Sequence, residues 1–441
     1  MHTGRANSPK PSRAVVGEWP VALFLLGLLP GFYQALHPFQ GLGLGPGREM
    51  VAIARSLIDH GTFGDPFQSM RTGPTAVNPS LYPLFLALCM KLLGSPIAIV
   101  RVVMLANILA NAFAAALLPR ISMLLWGTSA PGILGGTLMI LASRLQPDWD
   151  TSYTQVGLIL FFLVTWKLLR RDGPVALQGA AAGAMAGVLF LLSQVVALVA
   201  VPWIAFLLFA RRTRLRDAVR FSLSLLLAAV LVNVPWLIRN YETWGEWTTR
   251  TNFGMTLYAS NNDCAESSLD QEMRSGCYQA THPEDSVSEA LALKTMGEPA
   301  YDRLKTAQAL AWIRANPSRF FHLTLARILD FWFPLATPRY SGYAIWAITI
   351  LSVPGLVQMF RKRSPVAGFV AVVWLIYPLM YYVVVSGVRY RVPILWISAL
   401  SAGYFIASVV PPFKGGWHRR GNARGGHTGA RETSGAPGFG R

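Results

Sequence analysis

Glu49 opens an amphipathic run from Arg48 to Ile58, in which Met50, Ile53, Ala54, Leu57 and Ile58 recur at helical spacing. The pattern predicts a helix lying along a membrane surface with a carboxylate in its first turn. Such a carboxylate either complements the helix dipole, a contribution of up to about 1 kcal/mol, or takes a proton from a substrate hydroxyl. A second acidic pair, Asp148 and Asp150, sits in the turn Pro147-Asp148-Trp149-Asp150. The two read equally well as helix-end caps or as groups binding an acceptor or a divalent metal. Asp65 lies in Gly64-Asp65-Pro66, where turn chemistry accounts for it. Arg389 and Arg391 head an apolar run. Two cations there point to an anionic ligand, with snorkelling to lipid headgroups as the alternative. Together these residues set carboxylates and cations at the membrane–water boundary, where charge is costly unless paired or useful.

Cysteine and histidine offer no zinc-ligand spacing, since His282 lies near Cys277 without further partners. Cys264 and Cys277 share one polar segment, where an oxidising compartment favours a disulfide over free thiols, while Cys89 in an apolar run reads as a small buried hydrophobe.

The elements that must hold these residues are membrane helices. The 441 residues are 53% hydrophobic and 14% charged, against about 25% charged in soluble domains, and the mean hydropathy is +0.40. Apolar runs recur from Trp19–Phe39 to Val392–Val410. They predict an all-α polytopic bundle of about ten spans, because a helix alone satisfies its backbone within one segment in hydrocarbon. The first run is long for a cleaved leader and reads as a retained helix. The short run Leu81–Leu93, with Lys91, is assigned to the interface plane. The basic clusters at Lys10/Arg13, Arg120, Lys167/Arg170/Arg171, Arg211–Arg216, Arg361–Arg363 and the tail then face one compartment.

This topology divides the chain into a cytoplasmic N-terminus (1–18), a transmembrane core (19–238) with a first outer loop (40–96), a large outer loop (239–342), C-terminal transmembrane helices (343–411) and a basic disordered tail (412–441). The large loop reads as a cap of helix and coil, with helical stretches at Pro299–Asn316 and Pro317–Phe331. The net charge of +18 is mostly topogenic, which excludes a nucleic-acid partner.

The segment from Glu49 through Gly61-Thr62-Phe63, then Thr72 through the Asn78-Pro79-Ser80-Leu81-Tyr82-Pro83 stretch to Lys91, resembles the first-loop signature of GT-C type glycosyltransferases. That superfamily includes the protein O-mannosyltransferases and the lipid A aminoarabinose transferases. Trp236–Tyr241, Ala311–Pro317 and Arg389-Tyr390-Arg391-Val392-Pro393 extend the likeness over most of the chain. The resemblance implies an integral-membrane enzyme that moves a sugar from a polyprenyl-phosphate carrier to a glycolipid, polymer or protein acceptor on the outer face, in a bacterial inner membrane and facing the periplasm. It implies an acidic base from the first loop, here Glu49, with Asp148 or Asp150 as the next candidates, and basic residues on the donor phosphate. It further implies substrate contacts at Asn78 and Tyr82.

Two departures stand out. Aligned on Ile53-Ala54-Arg55, the family's acidic pair falls near Pro46 and Gly47 rather than at Glu49. A lysine common before the first proline of the second signature is Asn78 here, leaving Arg71, Arg101 or Arg389/Arg391 to hold the phosphate. A flippase of lipid-linked saccharide and a catalytically inactive relative are the competing readings. Acidic candidates in loops rather than at mid-membrane, and the lack of repeated halves, favour the enzyme.

Overall fold

The computed structural model describes residues 13–36, 49–143, 149–334 and 339–410. The first half is a run of helices: α1 (Arg13–Leu36), α2 (Glu49–His60), α3 (Leu81–Leu93), α4 (Pro96–Trp126), α5 (Ala130–Leu141), α6 (Thr151–Leu168), α7 (Val175–Leu192), α8 (Ala197–Ala210) and α9 (Leu215–Trp244). Six short helices follow, α10 (Phe253–Ser260), α11 (Leu269–Ser275), α12 (Cys277–Thr281), α13 (Val287–Met296), α14 (Glu298–Ala315) and α15 (Pro317–Trp332). The chain then returns through α16 (Arg339–Arg361), α17 (Val366–Ile376), α18 (Leu379–Val383), a 3-10 turn at Val388–Arg391 and α19 (Val392–Val409). Among the described residues the only β pairing is two isolated bridges, Gly64 with Pro74 and Ser268 with Ser386.

Among the described residues seven helices are long and apolar enough to cross a membrane, and three shorter apolar ones span Leu81–Leu93, Ala130–Leu141 and Gln194–Ala210. The chain is an all-α integral membrane protein. The apolar runs read from the sequence are helical over most of their described residues, but α4 and α9 reach 31 and 30 residues, about 45 Å at 1.5 Å per residue, well beyond the ~30 Å of hydrocarbon. The expected start of the large loop at Arg239 is therefore still helix. The loop itself is six helices joined by turns, with α14 and α15 where the sequence predicts helix.

Close packing in the bundle rests on small residues. Gly179, Gly183 and Gly187 recur every fourth residue on α7, and a Cβ on any of them would strike the α9 backbone at Phe221, Leu225 or Ala229. Such stripes let helix backbones approach where lipid supplies no hydrophobic drive. The opposite face of α9, including Leu223, Leu227 and Leu231, is exposed, as a lipid-facing surface should be. The centre is α19, buried along nearly its whole length. Trp396 on it meets an aromatic stack of Phe162 on Trp203, 3.7 Å between centroids, and the Trp203 indole donates to Thr165 Oγ1 at 2.9 Å.

Above the bundle, α10 to α15 form a cap tied by the Cys264–Cys277 disulfide expected from the sequence. Arg327 of α15 is fully buried and donates to Asn261 Oδ1 at 3.2 Å, to the Val383 carbonyl at 2.9 Å and to the Ser260 carbonyl. One guanidinium thus joins α15, the end of α10 and the end of α18. The first loop is folded on Asp65, which lies at φ 51° and accepts from the Gly73 N–H at 2.8 Å and from Arg71 Nε at 3.1 Å, the turn role expected of it.

Candidate functional site

Three segments far apart in sequence converge where the first loop meets the cap. Glu298, at the head of α14, accepts from the Ala76 N–H at 2.8 Å and from Thr251 Oγ1 at 2.5 Å, and the Thr251 N–H donates to the Ala76 carbonyl at 3.2 Å. Residues 75–78 and 249–252 therefore run side by side. Burial raises the Glu298 carboxyl to about 7, against the pull of its hydrogen bonds. Beside this strap, Arg250 Nε donates to the Val77 carbonyl at 2.7 Å.

Glu49 heads α2 with its side chain 15% exposed. Asn78, fully buried, donates from Nδ2 to Glu49 Oε2 at 2.8 Å. The other oxygen lies 3.8 Å from His282 Nε2. His282 Nδ1 accepts the Glu284 N–H at 3.1 Å, so a neutral ring carries its proton on Nε2 and presents it to Glu49. Burial lowers the His282 pKa; Glu49 and Asp285 oppose that shift and Arg389 adds to it. The imidazole is held between Tyr278, stacked at 4.5 Å, and the edge of Phe67 at 5.8 Å.

Arg250 supplies the positive charge of this cluster. Burial lowers its pKa, while Glu49 and Asp150 favour its charged form, with Tyr381 and Tyr390 further off in effect. Asp150, buried just before α6, accepts from Thr154 Oγ1 at 3.0 Å rather than capping the helix backbone. Burial raises its pKa, and hydrogen bonds to Ser193 and Thr154 and the Arg250 charge pull the other way. Arg389 completes the wall, stacked over Trp149 at 3.6 Å and donating to the Tyr390 hydroxyl at 2.9 Å. Tyr390 in turn stacks on Tyr381 at 4.6 Å. Two carboxylates, two guanidiniums, an imidazole and flat aromatic faces thus lie in one cluster of electrostatic neighbours where the first loop meets the cap. It can hold a sugar ring, take a proton and stabilise a departing anion.

The remaining candidates lie elsewhere. Tyr82 is buried against Phe85 and Tyr153 in the packing between α3 and α6. Arg71 is exposed and paired with Asp65, and Arg101 is exposed on α4. Arg391 has surroundings different from those of Arg389: it is 2% exposed, donates to the Trp332 carbonyl at 2.7 Å and lines a separate cavity. Asp148 lies outside the described residues. Among the described residues no three His, Cys, Asp or Glu side chains could hold a metal ion. Arg250, His282 and Tyr278 are the site residues that sequence reasoning missed. Arg250 and His282 are a cation and an imidazole in a segment assigned to the outer face, against the topogenic trend, and that was the one local signal available.

Residues 81–275 match glycosyltransferase family 87. The fold is similar to that of the archaeal oligosaccharyltransferase AglB from Archaeoglobus fulgidus in complex with an inhibitory peptide and a dolichol-phosphate, with a TM-score of 0.54 at 13% identity, covering 94% of this chain and 52% of that one. The fold is of the GT-C type. The apo form of the Archaeoglobus fulgidus oligosaccharyltransferase matches equally well, at TM-score 0.54, 13% identity and coverages of 94% and 53%. Its complex with Zn and sulfate matches at 0.51 and 13%, with coverages of 89% and 49%. The chain spans about half the length of these enzymes. No curated protein sequence matches it. The family match supports glycosyltransferase activity, and the fold is the one expected of a GT-C chain.

Proposed function

We propose that this protein transfers a sugar from a polyprenyl-phosphate carrier to an acceptor hydroxyl at the cluster between the first loop and the cap, on the outer face of a bacterial inner membrane. The observation that carries the reading is Glu49, an acidic residue with one oxygen held by Asn78 and the other facing the His282 N–H, beside two guanidiniums. In this mechanism the acceptor oxygen attacks the anomeric carbon, its proton passes to Glu49, and the bond from that carbon to the phosphate oxygen breaks with its electron pair leaving on the phosphate. Arg389 and Arg250 stabilise that departing charge. Asn78 and His282 orient the carboxylate, and the faces of Trp149, Tyr278 and Tyr390 receive the sugar ring. No step is routed through a metal. The dolichol-phosphate and peptide bound by AglB support a lipid-phosphate carrier, with a glycolipid, polymer or protein as acceptor.

The test is sugar transfer by purified protein from a panel of polyprenyl-phosphate sugars. Glu49→Gln should lower transfer about 10²–10⁴-fold with donor binding nearly intact, and Arg389→Ala should weaken donor binding first. Parental transfer by Glu49→Gln would remove the carboxylate from its role, and movement of the lipid-linked sugar without transfer would make the protein a flippase.

A further inference from the structure

Among the described residues Arg391 is a buried cation without a counter-charge. Nη1 donates to the Trp332 carbonyl and the guanidinium rests 4.8 Å from the Trp332 ring, but Nε and Nη2 are buried and donate to nothing. Among the described residues no carboxylate pairs with it. Burying two charged donors unmet is costly in water-excluding surroundings, which favours a bound partner at this point. The side chain lines a cavity with Asn111, Ser143 and Gln155 as polar neighbours and Met139, Ile345 and Leu395 as apolar ones. The cavity encloses about 30 Å³. That holds one or two oxygen-sized groups and excludes a sugar ring.

We infer that this cavity is a second anion site, on the far side of the 388–391 turn from Glu49, that receives the oxygens of a phosphate group. The phosphate can belong to a membrane lipid or be free in solution. Arg391 stands at the head of the apolar span Val388–Val409, where lipid phosphates lie. An exposed apolar groove between α1 and α5, lined by Leu26, Leu29, Tyr33 and Leu141, runs along the other side of the same end of α5 that supplies Met139 and Ser143. A phosphate oxygen meets the guanidinium fork with charge-assisted hydrogen bonds that water does not match.

The test uses full-length protein stripped of lipid and offered phosphatidylglycerol, diacylglycerol or inorganic phosphate, with bound molecules counted by native mass spectrometry and the thermal midpoint read in parallel. Retention of phosphatidylglycerol but not diacylglycerol, weakened about tenfold or more in Arg391→Gln, is the expected result. Ser143→Leu fills the cavity and leaves Arg391 in place, so it should lose the lipid as well, whether or not Arg391→Gln folds. A rise in midpoint with inorganic phosphate alone, lost in both variants, assigns the site to free phosphate. Binding that is equal in parent and variants, or absent altogether, means the cavity holds only water and overturns the inference. No sugar enters this measurement, so its outcome is independent of whether the protein transfers one.

Discussion

The bundle and the cap are held together by opposite means. Between α7 and α9 the contact is made by Gly179, Gly183 and Gly187 against backbone, with shape as the specifying property. In the cap the specifying groups are buried and polar: Arg327 reaching three elements, Glu272 near it, Glu298 joining two loops, and Lys305 paired with Glu289 at 2.7 Å. The reason is the solvent each region folds from. Apolar side chains in lipid gain nothing by leaving it, so close backbone approach decides packing. A cap of short helices in water has too little apolar surface to hold a unique arrangement, and directional hydrogen bonds supply one. The Glu49 cluster sits at the junction, where first-loop and cap residues together bury and fix its charged groups.

Mutations in the two regions should differ in kind and size. Arg327→Ala strips the donor from the Ser260 and Val383 carbonyls and from Asn261, and leaves Glu272 without its nearest opposite charge. A loss of about 3–5 kcal/mol is expected, read as a large drop in thermal midpoint, with cap amides exchanging before those of α7 and α9. Replacing Cys264 and Cys277 by Ser opens a loop with a sequence separation of 13 and should cost about 3 kcal/mol. Peptide mapping without reductant should first find the two cysteines linked. Gly183→Leu acts on the bundle alone. Overpacking against Leu225 should cost about 1–3 kcal/mol or part the helices, and cap exchange should stay as it was; a cap that loosens with it would erase the distinction between the regions.

The smallest effect expected is a pH slope. Burial raises the Glu272 carboxyl from 4.5 to about 8, with Arg327 opposing. The folded cap therefore keeps a proton that the unfolded chain has released, so this contribution to stability is full below pH 4.5 and is lost as pH rises through about 8. Glu272→Gln cannot ionise and should flatten that part of the midpoint's pH dependence. An unchanged slope would place the titration on another group, with Glu298, raised to about 7, as the next to vary.

Helices, apolar spans, the disulfide, the place of Glu49 at a helix start and the turn at Asp65 were legible in the chain because each depends on local facts: apolar run length, a shared polar segment, a carboxylate before an amphipathic run, an aspartate in a turn. Periodicity cannot say where a helix that leaves the membrane will stop, and α9 runs on to Trp244 because its last turns are held by Arg239 bonded to the Thr75 and Phe63 carbonyls. The partners of Glu49 were beyond reach for the same reason. Asn78, Arg250 and His282 come to it through the strap between residues 75–78 and 249–252 and through the Ser69 N–H bond to the Glu284 carbonyl, contacts spanning some two hundred residues. Arg389 and Arg391 make the point most directly. Two positions apart, they form one cationic pair in the sequence, but the 3-10 turn sends one side chain over Trp149 and the other under Trp332. Which side of a turn a residue faces is decided by what packs on each side of it, and that is a property of the assembled fold.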